Sequence, residues 1–279
     1  MSSSSYYYRK SNGSKGAKPT KHTYHRTKGF VCEKDVIDSI KDILSHEFID
    51  CGYHVMTAYL KRKGYKINHK KVYRIMKNAG LLKASSRITR GKGARKFVQF
   101  RKVETSRPLE CIEMDIKLVW LPNVGKNAYL LSIIDLHTRK ILAYRFARQM
   151  KQNAVIDLLG SIFDKYGSID GMVIRSDNGS QFLATDVRNY IEMMGVSQEF
   201  THVATPEENA HIEAYHGTLK RDIFDRIEYQ NFGEIEQILK RYVYFYNNER
   251  LHRRLGRVTP QEMWNKTSGL ITSKVMKSA

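Results

Sequence analysis

Cysteine is nearly absent from this chain: Cys32, Cys51 and Cys111 are three in 279 residues, an odd number and widely spaced. A disulfide framework is thereby excluded, and a reducing, cytoplasmic setting is indicated. His22 and His25 precede Cys32 and Cys51, but eighteen residues separate those cysteines. Paired zinc ligands usually lie two to four apart, so no zinc site is expected. Long hydrophobic runs are also missing: none approaches the ~18 residues of a membrane span. No signal peptide precedes the basic N-terminal segment, so no membrane role is expected. Proline is sparse, with five residues.

Acidic residues are scarce in the front of the chain alone. Residues 1–109 hold 26 Lys/Arg against 7 Asp/Glu, whereas residues 110–279 hold 22 against 21. Nearly all of the net charge of +20 therefore sits in the first two fifths. Such a surface selects polyanions, and nucleic acid is the expected partner. The remainder is an electrically ordinary domain, and 41% hydrophobic residues overall is a globular level.

The organisation follows from periodicity. Residues 1–32 read as a disordered basic tail, with serines at 2–5 and tyrosines at 6–8. Residues 33–82 read as a small all-α unit of helix-turn-helix type. Val36, Ile40 and Ile43 repeat at helical spacing, Gly52 and Gly64 punctuate, and Asn68 is placed to cap a third helix. That helix carries Lys70, Lys71 and Arg74, which are expected to meet DNA. Residues 83–107 form a basic linker in which nine Lys/Arg face one acid, Glu104. A second domain spans 108–270, followed by a tail over 271–279. Strands are expected at 110–121, 128–136 and 140–146, a helix at 152–166 and a strand ending at Asp177. A helix over 184–194, a strand over 197–203 and a helix after Pro206 complete a mixed α/β sheet.

Three acids fall where such elements present them. Asp115 lies in an apolar strand, Asp177 at a strand end in Ser176-Asp-Asn-Gly179, and Glu213 on the late helix. Carboxylates converging on one point repel unless cations hold them, and a two-metal pair serves in-line phosphoryl displacement. With 28 acids in the chain, only these local contexts raise the set above chance. On the late helix Asn209, Glu213, His216 and Lys220 form one polar stripe beside an apolar stripe of Ile212, Tyr215, Leu219 and Ile223. Lys220 is thereby placed to meet a phosphate of bound DNA. Arg250, His252, Arg253 and Arg254 follow an aromatic-rich helix over 233–247, and a DNA grip or simple packing are both open there.

Taken together, Arg175-Ser-Asp-Asn-Gly-Ser-Gln-Phe182, Asn209-Ala210 with Glu213 and Lys220, and Tyr246-Asn-Asn-Glu-Arg-Leu-His252 resemble bacterial insertion-sequence transposases. The resemblance is to the second-frame (OrfB) product of the IS-three family, with its retroviral-integrase-like core, and runs from about 35 to 264. It implies an RNase H-like fold and a DDE site of Asp115, Asp177 and Glu213. Also implied are two divalent ions, Mg²⁺ or Mn²⁺, when DNA is bound. Strand cleavage at transposon ends followed by 3′-hydroxyl strand transfer is the implied reaction. Transposon ends and target DNA are the implied partners, together with an upstream-frame OrfA product or fusion, a homo-oligomer on DNA, and a nucleoid-associated place in the cytoplasm. A structure-selective nuclease that cuts without joining, and a silent DNA-binding repressor, are the alternatives.

Overall fold

The computed structural model describes residues 20–83, 104–121, 125–167, 169, 171–202 and 209–271. The chain forms two compact units, one from most of the first 85 residues and one from the rest.

In the first unit, strands β1 (His22–His25) and β2 (Gly29–Cys32) form a hairpin, followed by helices α1 (Glu33–Leu44) and α2 (Tyr53–Arg62). Strand β3 (Tyr65–Lys66) and helix α3 (His69–Asn78) complete it. The strands lie in the order β2-β1-β3, antiparallel throughout. The expectation of a disordered tail to residue 32 is corrected at its C-terminal end. The hairpin forms there because Thr23, His25 and Val31 alternate inward. His25 is buried and closes the turn: its Nδ1 accepts the N–H groups of Thr27 and Lys28, each at 3.3 Å, and its Nε2 donates to the Lys63 carbonyl at 2.7 Å. The tail over 1–19 lies outside the described residues. The three helices stand where periodicity put them, with Val36, Ile40, Met56, Leu60, Val72, Ile75 and Met76 buried. Asn68 caps α3, accepting the Lys71 N–H at 2.8 Å.

The second unit is built on β4 (Cys111–Leu121), β5 (Lys126–Asp135), β6 (Ile141–Ala147), β7 (Val173–Ser176) and β8 (Ser197–Phe200). Their order is β6-β5-β4-β7-β8; the first three form an antiparallel meander, and β7 and β8 join in parallel. Helices α4 (Gln152–Tyr166), the short α5 (Ser180–Leu183), α6 (Thr185–Met193), α7 (Ala210–Leu219), α8 (Phe232–Asn248) and α9 (Pro260–Thr267) surround it. This is the mixed α/β, RNase H-like arrangement. Strand alternation divides β4 between two tasks. Ile112 and Met114 belong to the core with Val155, Leu159, Ile162, Val187 and Ile191 of α4 and α6. Glu113 and Asp115 point to the other face, where α7 lies.

Two polar groups in the C-terminal part of the chain are structural. Asn247 accepts the Ile141 N–H and donates to the Ile141 carbonyl, both at 2.9 Å, so a side chain pairs with β6 as a strand would. Thr259 and Glu262 form a reciprocal capping box that starts α9, with Pro260 in its first turn. Asp135 is a buried hub: its carboxylate accepts the N–H groups of Leu109 and Thr138 at 2.7 Å and the Thr138 hydroxyl at 2.6 Å. Asp135→Ala leaves these buried donors without an acceptor, which costs roughly 3 kcal/mol. A fall in melting temperature of roughly 6–12 °C is therefore expected by thermal denaturation. A shift under about 2 °C would show that the hub holds nothing.

Candidate active site

Register brings the first two acids together. Strand β4 pairs in parallel with β7 from Cys111 opposite Val173 to Met114 opposite Ser176. One further step along both strands sets Asp115 abreast of Asp177. Their proximity is also electrostatic: the Asp177 carboxyl is pushed above its ordinary range, first by local burial of the carboxyl and then by the charge of Asp115. The loop after β7 fixes Asp177. Its Oδ1 accepts the Gly179 N–H at 3.0 Å, and Asn178 donates to the Thr201 carbonyl at 2.9 Å. A Cβ at residue 179 would stand 3.0 Å from Asp177 Oδ1, so glycine is what lets the carboxylate turn back onto its own loop.

Helix α7 carries Glu213, and two contacts with β4 hold it. The first is the N–H of Ile212, in the first turn, which donates to Glu113 Oε2 at 2.8 Å. The other Glu113 oxygen, Oε1, lies 3.4 Å from His211 Nδ1 and makes no hydrogen bond. The Glu113 carboxyl is fully buried, and burial pushes it up to about 7. The Ile212 N–H, Arg175 and Arg139 act in the opposite direction, while Asp115 adds to the rise. The second contact is His216, one turn after Glu213: its Nδ1 lies 3.2 Å from Asp115 Oδ2 and its Nε2 3.3 Å from Ser132 Oγ. Ser132 stands opposite Asp115 in the β4–β5 register. A ring that donates from Nδ1 to the carboxylate and accepts the hydroxyl proton at Nε2 satisfies all three groups. Glu213 itself is exposed, between these two attachments.

The polar stripe expected on this helix is corrected. Asn209 and His216 are buried, 5% and 4% exposed, whereas Glu213 and Lys220 are exposed. The apolar stripe is as expected, with Ile212, Tyr215, Leu219 and Ile223 all buried. The cause is the sheet: the helix begins at Ala210 with its start against β4, and His216 reaches Asp115 and Ser132. A π-helical turn over Lys220–Phe224 follows Leu219. Pro206, Glu207 and Glu208 lie outside the described residues. Lys220 pairs with Asp225 at 2.5 Å, both exposed.

Several expected DNA-contact residues have partners inside their own unit. Lys71 donates to the His22 carbonyl at 2.6 Å and to the Thr20 hydroxyl at 3.1 Å. Arg74 pairs with Glu33 and donates to the Thr20 carbonyl at 3.1 Å, so both residues staple α3 to the start of β1. Lys70 is exposed. Arg250 pairs with Asp222 at 2.8 Å, and Asp222 also accepts the Tyr242 hydroxyl. His252 stands edge-on to Tyr246, with ring centroids 4.8 Å apart. Burial, then Arg250 and Arg139, pushes its imidazole down to about 3, so it carries no charge to offer a phosphate at neutral pH. His252 is thus packed against Tyr246.

Glu113 and Ser132 escaped the sequence reading, and His216 was read only as part of a polar face. A signal existed for Glu113: an acid two positions before Asp115 shares its strand face. What sequence could not supply was the element lying on that face.

The fold and the acid pair define an integrase-type catalytic unit, and comparison with known proteins agrees. Residues 105–206 match the family described as integrase core domain, and 194–260 match a second family of that description. Residues 32–88 match an HTH-like domain. The chain belongs to the integrase-core family of transposases. It is 29% identical over 241 residues to the putative transposase InsK for insertion sequence element IS150 of Escherichia coli, with 84% of each chain covered. It is 24% identical to the transposase for insertion sequence element IS904 of Lactococcus lactis, covering 82% of this chain and 94% of that one. Among solved structures, a chain of the simian T-cell lymphotropic virus intasome complex with PP2A regulatory subunit B56 gamma superposes with a TM-score of 0.51. That match has 12% identity and covers 76% of this chain and 70% of the other, a likeness of fold alone.

Proposed function

We propose that this chain is a DDE transposase that cleaves one DNA strand at a transposon end and joins the freed 3′-hydroxyl to another phosphodiester. The observation that carries this reading is the meeting of Asp115 and Asp177 across β4 and β7, beside the helix that bears Glu213. The donor set suits a hard divalent cation: carboxylate oxygens, with no thiolate nearby and the acids otherwise repelling. Among the described residues the three acids do not form a closed ligand cluster. Asp115, Asp177 and Glu213 would hold Mg²⁺ or Mn²⁺, two ions with DNA bound. The cations would activate the attacking water or 3′-hydroxyl and stabilise the leaving oxygen.

The chain's own residues do the positioning. His216 orients the Asp115 carboxylate, the Asp177–Gly179 turn fixes the second acid, and Glu113 holds the start of α7. Lys220, Arg253 and Arg254 lie exposed after this helix and its neighbour and would neutralise phosphates near the reacting strand. Lys70 and the rest of residues 33–107 would supply most of the affinity for transposon ends and target. An upstream-frame partner, self-association on DNA, and a cytoplasmic place at the nucleoid complete the reading.

The test is a strand-cleavage and strand-transfer assay on an end duplex with Mg²⁺. Joined product supports the transposase; cutting without joining selects a nuclease, and neither activity selects a DNA-binding regulator. A second expectation concerns salt. Binding by the whole chain should fall about 10³-fold or more between about 50 and 200 mM salt through counterion release. Residues 108–279 alone should bind far more weakly, with a shallower slope. Equal affinity and slope for the two, measured by fluorescence anisotropy, would place the DNA contacts elsewhere.

A further inference from the structure

The three-stranded sheet of the first unit has one face in its core and one open face. Thr23, His25, Val31 and Tyr65 point inward, and His22, Tyr24, Phe30, Cys32 and Lys66 point outward. Register sets Phe30 opposite Tyr24 and Tyr24 opposite Lys66, so these three form a row across the strands. The rings of Tyr24 and Phe30 meet edge to face at 5.6 Å, and Lys66 Nζ stands 5.7 Å over the Tyr24 ring. Phe30 is 77% exposed and Tyr24 40%. A phenylalanine so placed adds little to its own core, and its ring face is free for another flat group.

Charge narrows what that group is. The acids of this unit in the described residues, Glu33, Asp35, Asp38, Asp42 and Glu47, all lie on α1 or in the loop after it. The three strands, α2 and α3 carry none, while Lys21, Arg26, Lys28 and Lys66 lie on or beside the strands. An exposed aromatic ring in a cationic frame suits a ligand with a π-face and a flanking negative charge. A second copy of the same face would bring like charge against like. In a duplex the base faces are already stacked on each other. An unpaired nucleotide offers both a free base face and its phosphates.

We propose that Phe30, backed by Tyr24 and Lys66, is a stacking platform for an unpaired base of single-stranded DNA, with Arg26, Lys28 and Lys66 holding the adjacent phosphates. The site belongs to the first unit, whereas the carboxylates of β4, β7 and α7 belong to the second. Its occupant would be a frayed or displaced strand, a species that one-strand cutting and joining produces. The stacking site rests on the first unit's own residues; only the source of the strand rests on the proposed function.

The test uses the full chain without divalent cation. Affinity is measured by anisotropy for an oligothymidylate of about twelve nucleotides and for a mixed-sequence duplex of similar length. Phe30→Ala should weaken single-strand binding about tenfold, with duplex binding unchanged within about twofold and the melting temperature preserved. Phe30→Leu keeps apolar bulk but no ring and should lose nearly as much. Phe30→Trp should retain affinity, and its added emission should be quenched when the oligonucleotide saturates. Equal loss on both DNAs, no loss on either, or an unquenched Phe30→Trp signal at saturation overturns the proposal. Loss of self-association in Phe30→Ala, with binding to both DNAs intact, would assign the face to a second copy instead.

Discussion

Asp115→Asn and Glu213→Gln each reduce metal-dependent strand cleavage by on the order of 10³-fold or more, with folding intact. The size follows from removing a charge that would hold the cation on which both the nucleophile and the leaving oxygen depend. Intact folding follows from the contacts. An asparagine at 115 still offers an oxygen to the His216 ring, and Glu213 is exposed, so neither change opens the core. Asp177→Asn belongs with them, because its amide oxygen can still accept the Gly179 N–H. Circular dichroism and thermal melting check the fold, and single-turnover cleavage with Mg²⁺ checks the chemistry. Cutting within about tenfold of wild type by either of the first two variants would falsify the site.

The second large effect is expected at a residue with no direct part in the chemistry. Glu113→Ala removes the acceptor for the Ile212 N–H and leaves that donor buried at the start of α7. Stability should fall by about 2–3 kcal/mol. Cleavage should fall about 10²-fold, because the helix carrying Glu213 loses its fixed height over β4 and small misplacements are costly in a positioned site. Glu113→Gln keeps an oxygen for the N–H and should stay within about fivefold of wild type in rate. Affinity for DNA should be unchanged in both variants, which separates positioning from binding. If Glu113→Ala cut at the wild-type rate, α7 would be held by His216 and its apolar face alone.

Much of this was legible in the sequence for a physical reason. The apolar alternation over Cys111–Leu121 and Lys126–Asp135 is long enough to specify strands, and α4 shows an unbroken apolar stripe. Asn68 announces α3 because its side chain must satisfy a helix N–H. The hairpin at His22–Cys32 was lost because its strands are four residues each and sit in a basic, polar context. The roles of Asn209, His216 and His252 were lost because they depend on which element lies opposite, and polar residues at helical spacing read as a solvated face until that element is known. The placement of Asp115 on a strand, Asp177 at a strand end and Glu213 on a helix was legible because each element has a local signature; the contacts around them were not.

Strand β4 has a consequence for how a gene of this kind wears out. Its odd positions, Glu113 and Asp115, serve the site, and its even positions, Ile112 and Met114, fill the core beneath α4 and α6. A single codon gained or lost within that strand ahead of Asp115 shifts every residue up to the change to the opposite face. Glu113 would then enter the core and Met114 would face α7, so one event costs both the packing beneath α4 and the support of the helix that carries Glu213. A codon gained or lost in an exposed turn, by contrast, moves no strand residue to the other face. Copies that drift out of use should therefore retain β4 at constant length long after their turns have begun to vary.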